Sequence, residues 1–199
     1  MDKSRRDRHA ADLSNIRTVV LLHGIWSHGV GMFVIRRQLE REYGVRVHYF
    51  NYPSLRGTLD ENAAVLSRFV ANLGVDGVHL VGHSLGGVVA LRMLATHPDT
   101  PPGRLVCLGS PLTGSRAGEF LHRQDWAAGL IGSAVPAGVL HATANEWGKH
   151  VCEEREVGVI AGNVSIGVGR FITSFDGPND GTVAVAETRL DGIREHLVM

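Results

Sequence analysis

Six short runs of apolar residues are spread along the chain, and several of them are apolar on successive positions. Such runs are typical of strands that are buried on both faces of a sheet. They lie at residues 17–22, 45–50, 78–82, 104–109, 156–162 and 195–199. Because segments with helical patterns separate them, we predict an α/β fold, a mostly parallel sheet with helices on both faces.

Two of the helices between these strands have clear signals. Thr58 and Glu61 have the spacing of a capping box, which satisfies free backbone donors in a first helical turn. The helix that follows carries one apolar stripe and ends near Gly74; the stripe is formed by Leu59, Ala63, Leu66, Val70 and Leu73. A second helix over 85–96 is apolar almost all round, so we expect it to be the most buried, and Pro98 limits its length.

The remaining segments set the domain boundaries. Residues 1–15 are polar, and we expect a solvated tail before a single domain at 16–199. Residues 112–149 fit neither pattern and are interpreted as an excursion over one end of the sheet, with a possible short helix. Their longest weakly polar stretch, 127–140, contains Pro136 and is far short of the ~20 residues that span a bilayer, so no membrane span is predicted.

Composition and charge narrow the possible functions. Twenty Lys and Arg balance twenty Asp and Glu, so no strong field attracts nucleic acid, and we expect no nucleic-acid partner. The two cysteines, Cys107 and Cys152, are too few for a disulfide framework, which favours reduced thiols in a cytoplasmic protein. The sequence has no Cys, His and carboxylate cluster at ligand spacing, and we predict neither a metal nor a cofactor.

The sequence GHSLG, residues 82–86, is the strongest candidate for chemistry. It lies between a predicted strand and a predicted helix, where a G-x-S-x-G serine takes a strained conformation at a sharp turn and exposes its hydroxyl. Ser84 is therefore the candidate nucleophile. Two backbone amides are candidates for the oxyanion hole: Leu85, directly after the nucleophile, and Ile25 in the loop after the first strand, with Trp26 as the alternative. His23 is expected to hold that loop.

The sequences HGIW, GHSLGG and NDGTV, in this order, resemble the α/β-hydrolase superfamily. The resemblance covers about residues 18–199 and is greatest to small bacterial lipases and esterases with little or no cap. It implies hydrolysis of carboxylic esters through an acyl-enzyme, with the catalytic residues in the order serine, acid, histidine. The acid is then Asp180 in NDGTV, with Asp176 as its rival, although both aspartates also suit the capping of turns beside glycines.

The general base departs from the family's pattern. His196 is the only histidine after Asp180, and it lies inside the predicted last strand rather than beyond it. Two interpretations follow: the chain is truncated and the true base lies beyond Met199, or the end of the chain bends so that His196 reaches Ser84. The family's final helix would also be missing. His83, next to Ser84, is expected to point away from the pocket.

The substrate is predicted only as a class, a small-molecule or lipid ester. Trp26, Phe120 and Trp126 are the candidate substrate-binding residues. The apolar side chains of the excursion could lay an apolar lining over the pocket. The alternative is that they merely cover the sheet. Lipase and carboxylesterase are the activities that the resemblance implies. The alternative function is a catalytically inactive hydrolase-like binding protein, and the missing base is the feature that favours it.

Overall fold

A six-stranded parallel sheet organises the chain. The computed structural model describes residues 13–25, 32–54, 57–114, 143–164 and 177–199. Within them, the strands are arranged in the order β2-β1-β3-β4-β5-β6, and every neighbouring pair is parallel. All the strands therefore end at the same edge, where the loops that follow them meet.

All six predicted strands are confirmed, with ends that differ by at most one residue. They are β1 (Thr18–Leu22), β2 (Arg46–Phe50), β3 (His79–His83), β4 (Leu105–Leu108), β5 (Val157–Ala161) and β6 (Glu195–Val198). The helices are α1 (Phe33–Tyr43), α2 (Leu59–Asn72), α3 (Leu85–Thr96) and α4 (Thr143–Glu154). Two 3-10 turns, η1 (Leu13–Asn15) and η2 (Val185–Thr188), complete the described elements.

The sheet is covered on both faces, as predicted. The larger core lies between the sheet and helices α2, α3 and α4, and includes Leu66, Leu91 and Val151. The smaller core packs Ile35 and Leu39 of α1 against residues of β1 and β2 on the opposite face. Beyond these cores, β6 is an exposed edge strand, with Leu197 45% exposed.

Both predicted helices begin and end as expected. The Thr58 side chain accepts a hydrogen bond from the Glu61 amide at 3.2 Å, and the Glu61 carboxylate accepts one from the Thr58 amide at 2.6 Å, so the capping box is formed. After α2, Gly74 takes a left-handed backbone with φ of 60°. Helix α3 is buried along most of its length, and its last residue is Thr96.

Helices α1 and α4 were not predicted. The described part of α1 has no fully buried residue, and Phe33 and Val34 are exposed, so its apolar positions do not form a clear stripe. Helix α4 begins inside the segment interpreted as an excursion and continues into the stretch before β5. The short helix predicted within the excursion lies outside the described residues, as does most of the predicted tail.

Helix α3 approaches strand β3 more closely than side chains would allow. A Cβ placed on Gly82 would lie 2.4 Å from the Gly87 nitrogen, and one on Gly86 would lie 2.7 Å from the carbonyl oxygens of Leu22 and His23. Real Cβ atoms essentially never come that near to other heavy atoms. The glycines of GHSLGG therefore allow the helix to start directly over the ends of β3 and β1.

We expect Gly82→Ala to destabilise the protein by about 1–3 kcal/mol or more, because the added methyl group overlaps the backbone of α3. Gly158→Ala is the matched control, since Gly158 also lies in a buried parallel strand but has no atom within 4 Å of the new Cβ. Urea unfolding followed by circular dichroism measures both. Equal midpoints for the two variants would contradict the close approach.

Candidate active site

Ser84 has a strained backbone. It lies between β3 and α3 with φ of 52° and ψ of −122°, and it is the single non-glycine residue with a positive φ among those the structure describes. Such a conformation costs on the order of 1–3 kcal/mol and persists only where the surrounding structure imposes it. The predicted strand, sharp turn and helix are therefore all present around this serine.

The surroundings of Ser84 hold its backbone and leave its side chain available. The Ser84 amide donates to the Leu108 carbonyl at 2.9 Å, which extends the pairing of β3 with β4 by one residue. The Ser84 hydroxyl makes no hydrogen bond to a described residue and does not cap α3. The Leu85 amide is the first of α3, so it has no acceptor inside the helix.

His23 holds the loop after β1. The residue is buried, and its ring stacks on Tyr52 with 4.6 Å between the ring centres. The Tyr52 amide donates to His23 Nε2 at 3.5 Å, so Nε2 is the unprotonated nitrogen and Nδ1 donates to the Gly24 carbonyl at 2.7 Å. The Tyr52 hydroxyl donates to the His23 carbonyl at 2.8 Å, and burial raises the pKa of Tyr52 above its usual range.

Ile25 follows this loop and packs against the larger core. Because Gly86 lies directly against the carbonyls of Leu22 and His23, the loop that carries Ile25 adjoins the first turn of α3. The two segments predicted to supply oxyanion amides, at Ile25 and Leu85, are thus neighbours. Trp26, the alternative donor, lies outside the described residues.

Asp180 is anchored by one carboxylate oxygen. Its Oδ1 accepts hydrogen bonds from the amides of Thr182 and Val183, both at 2.8 Å. The loop is closed by the Val185 amide, which donates to the Pro178 carbonyl at 2.9 Å. Asp180 therefore caps a turn, as one sequence interpretation held, yet its Oδ2 has no hydrogen bond to a described residue and stays available to a second partner.

The free oxygen of Asp180 lies at the same sheet edge as Ser84. A Cβ placed on Gly109, directly after β4, would lie 3.1 Å from Asp180 Oδ2, and one on Gly162, directly after β5, would lie 2.8 Å from Asp180 Cβ. The carboxylate thus lies over the ends of β4 and β5, and Ser84 follows β3, the next strand along. The rival acid, Asp176, is outside the described residues.

His83 lies at this edge rather than away from it. A Cβ placed on Gly24 would be 3.1 Å from His83 Nδ1 and 3.0 Å from Ser84 Cβ, so both side chains pack against the same point of the loop after β1. Burial lowers the pKa of His83; the Asp180 carboxylate opposes this effect and His23 adds to it. The orientation of His83 away from the substrate pocket stays a prediction.

His196 is placed elsewhere. It lies in β6 opposite Val159, and its Nε2 is 2.8 Å from the Thr188 hydroxyl. Burial, and secondarily Arg189, lowers the pKa of this imidazole. Since β4 and β5 separate β3 from β6, the two strands are roughly 14 Å apart, and the structure does not bring His196 to Ser84.

The predicted substrate-binding residues cannot be placed. Trp26, Phe120 and Trp126 all fall outside the described residues. At the start of the predicted excursion, the amides of Leu112 and Thr113 donate to the Glu187 carbonyl at 2.7 and 3.0 Å, so this segment leaves the sheet beside η2.

A strained serine at a strand-to-helix turn, with an anchored carboxylate at the same edge of a parallel sheet, is a candidate hydrolase site on an α/β fold. Comparison with known families agrees. Residues 19–189 match the family described as the alpha/beta hydrolase family, and the chain belongs to it.

Two curated relatives are hydrolases. The chain is 30% identical over 134 residues to a pimeloyl-[acyl-carrier protein] methyl ester esterase of Aeromonas hydrophila, covering 65% of this chain and 48% of that protein. It is 33% identical over 103 residues to 2-hydroxy-6-oxononadienedioate/2-hydroxy-6-oxononatrienedioate hydrolase 1 of Pseudomonas putida, covering 46% and 36%. The chain thus spans less than half of the length of these relatives.

Solved structures share the fold. A lipase of Bacillus licheniformis in its mature form superposes with a TM-score of 0.74 at 19% identity, covering 92% of this chain and 84% of that one. A metagenomic carboxyl esterase gives a TM-score of 0.67 at 19% identity, covering 92% and 63%. In the described parts of this chain, every helix is too short or too polar to cross a bilayer.

Phenylalanine at position 23 keeps the stacking on Tyr52 but makes no hydrogen bond to the Gly24 carbonyl or the Tyr52 amide. We therefore expect His23→Phe to lower the free energy of unfolding by about 1–3 kcal/mol for each buried group left unpaired. His48→Phe, at a half-buried histidine without a side-chain hydrogen bond to a described residue, is the control. Urea titration measures both, and an unchanged His23→Phe midpoint would contradict the assigned role.

Proposed function

We propose that this protein is a serine hydrolase that cleaves carboxylic esters through an acyl-enzyme. The observation that carries the proposal is the strained backbone of Ser84, because neither a binding surface nor a scaffold requires a serine in that conformation. Asp180, anchored through Oδ1 at the same edge, supports it. Membership of the α/β hydrolase family, with hydrolases among the curated relatives, agrees with this chemistry.

In the proposed mechanism, Ser84 Oγ attacks the ester carbonyl carbon while a histidine takes the hydroxyl proton. The Leu85 and Ile25 amides donate hydrogen bonds to the oxyanion that forms. The intermediate collapses, and the histidine gives its proton to the departing alcohol. Water, deprotonated by the same histidine, then releases the acid and restores Ser84, while Asp180 accepts the histidine N–H and stabilises the imidazolium.

Two sources of this histidine were predicted: His196, or a residue that follows Met199. The Met199 amide donates to the Ala161 carbonyl at 2.9 Å, and the Met199 carbonyl accepts from the Asn163 amide at 2.7 Å. Between these partners lies Gly162, on which an added Cβ would lie 2.8 Å from Asp180 Cβ. The end of β6 thus lies beside the loop of Asp180, whereas His196 lies three residues earlier in β6, with Nε2 2.8 Å from the Thr188 hydroxyl.

The proposed substrate is a small-molecule or lipid ester. One relative is named as a methyl ester esterase, and two structural neighbours are named as a lipase and a carboxyl esterase. The competing function is an inactive hydrolase-like binding protein. The position of His196, away from Ser84, is the observation that favours this second candidate.

The first test is Ser84→Ala, with covalent labelling by a fluorophosphonate and hydrolysis of p-nitrophenyl butyrate as the two measurements. We expect labelling to disappear and the rate to fall to background, because the activated hydroxyl is lost. If the folded wild-type chain neither becomes labelled nor hydrolyses the ester faster than Ser84→Ala, these 199 residues contain no working general base, which contradicts acyl-enzyme hydrolysis by this chain.

The second test is Asp180→Asn, which should lower the rate of ester hydrolysis by about 10²- to 10⁴-fold, because the carboxylate no longer orients the base. Asp191→Asn is the control, because it removes the same charge from an exposed residue in the loop before β6. That loop lies at the edge of the sheet opposite to the one that carries Ser84 and Asp180, so the rate should be unchanged. His196→Gln, measured beside them, decides the source of the base: a loss as large as that of Ser84→Ala assigns the base to His196.

A further inference from the structure

Tyr52 is a buried residue beside the loop after β1, and the proposed mechanism has no use for it. It follows the end of β2 by two residues, and its ring stacks on those of His23 and Phe50, with 4.6 and 5.5 Å between the ring centres. Burial raises the pKa of Tyr52, so its hydroxyl keeps its proton and acts as a donor. Both donors of this residue, the amide and the hydroxyl, are directed at His23.

The Tyr52 amide determines which nitrogen of the His23 ring carries the proton. Because Nε2 accepts a hydrogen bond from this amide, the proton of the neutral ring is on Nδ1. Nδ1 then donates to the Gly24 carbonyl at 2.7 Å. A proton on Nε2 instead would bring two donors together at Tyr52 and two acceptors together at Gly24, so both hydrogen bonds would be lost.

The His23 ring in turn fixes the peptide group that carries the proposed oxyanion donor. The Gly24 carbonyl and the Ile25 N–H belong to one planar, trans peptide unit, so they point in opposite directions. With the carbonyl oxygen held by Nδ1, the Ile25 N–H is directed away from the His23 ring, and it donates to no described residue. The hydrogen bond to the carbonyl also polarises the peptide group, which strengthens its N–H as a donor.

This peptide group lies next to the nucleophile. A Cβ placed on Gly24 would lie 3.0 Å from Ser84 Cβ, and the Ile25 nitrogen is bonded to the carbonyl carbon of Gly24. The preceding peptide group is fixed as well, because the Tyr52 hydroxyl donates to the His23 carbonyl at 2.8 Å. Two successive peptide groups beside Ser84 are therefore held by hydrogen bonds that begin at Tyr52, directly or through His23.

We propose that Tyr52 is a positioning residue that orients the Ile25 amide toward the oxyanion. The inference rests on the proposed function, in which that amide stabilises the oxyanion. Tyr52 acts through His23: its amide selects the ring with the proton on Nδ1, and its hydroxyl fixes the His23 carbonyl.

The hydroxyl is tested with Tyr52→Phe, which keeps the stacked ring and the backbone amide. Tyr49→Phe is the matched control, because Tyr49 lies in β2 and its buried hydroxyl has no hydrogen-bond partner in the described structure. For p-nitrophenyl butyrate we expect Tyr52→Phe to lower kcat/KM by about 10- to 10²-fold, since a small displacement of a group that meets the transition state has effects of this size. Tyr49→Phe should keep the wild-type value.

The thiono analogue of the same ester separates positioning of the oxyanion donor from general damage. Sulfur is a weak hydrogen-bond acceptor, so a thionoester gains little from the amides that stabilise an oxyanion. Tyr52→Phe should therefore affect the thionoester much less than the ester. Equal losses for both substrates, or equal values of kcat/KM for Tyr52→Phe and Tyr49→Phe with a rate that still depends on Ser84, overturn the role of Tyr52 and leave the hydrolase function intact.

A measurement that needs no activity tests the same hydrogen bonds. Long-range proton–nitrogen correlation by NMR in the wild type should place the His23 proton on Nδ1. In Tyr52→Phe the amide resonances of Gly24 and Ile25 should shift, whereas Tyr49→Phe should leave them in place. A proton on Nε2, or an Ile25 amide that does not respond to Tyr52→Phe, overturns the proposal.

The two proposals fail in different ways. A wild-type chain with no Ser84-dependent rate contradicts the hydrolase function. The spectra then decide by themselves whether Tyr52 orients the Ile25 amide, since the proton on His23 and the response of the Ile25 resonance are observed without substrate.

Discussion

The close approach of helix α3 to strand β3 is the constraint on which the site depends. With no side chain on Gly82 or Gly86, the first turn of the helix lies directly on the backbone of two strands. The chain has to reverse within one residue, and Ser84 takes the backbone conformation that this reversal requires. The position of the serine, the free amide at the start of α3 and the neighbouring loop after β1 all follow from this single packing contact.

Much of this arrangement could be predicted because its signals are local. A strand buried on both faces has to be apolar on successive residues, and a helix that starts on a strand has to begin with glycines, so the printed sequence carries both features. The capping box of α2 is equally local. The candidate nucleophile and the strands could therefore be predicted without any knowledge of tertiary contacts.

The features that escaped prediction depend on contacts between distant residues. Helix α1 packs on the sheet through half-buried side chains only, and apolar positions that form no clear stripe are hard to recognise as a helix in a sequence. In helix α4, Gly148 lies against Leu91 of α3. The glycine allows this close contact, and its packing role can be recognised only when the partner helix is known.

The hydrogen bonds that make Asp180 a turn cap are compatible with the catalytic role proposed for it. The two amides that bind Oδ1 are what any turn-capping aspartate binds. The same bonds fix the plane of the carboxylate and leave Oδ2 at the ends of β4 and β5. The hydrogen bonds that stabilise the turn thus also orient Oδ2 as an acceptor at the edge of the sheet.

The shared edge of the sheet also affects how the protein folds. Ser84 is held by β3 and β4, whereas the loop of Asp180 lies on the end of β5, far along the chain, so these groups meet only after long loops have closed and parallel strands have paired. A partly folded chain has the serine but not its neighbours. Reactivity of Ser84 would therefore mark the completion of the sheet and report on cooperative folding, while intermediates of the chain during its synthesis would stay chemically inert.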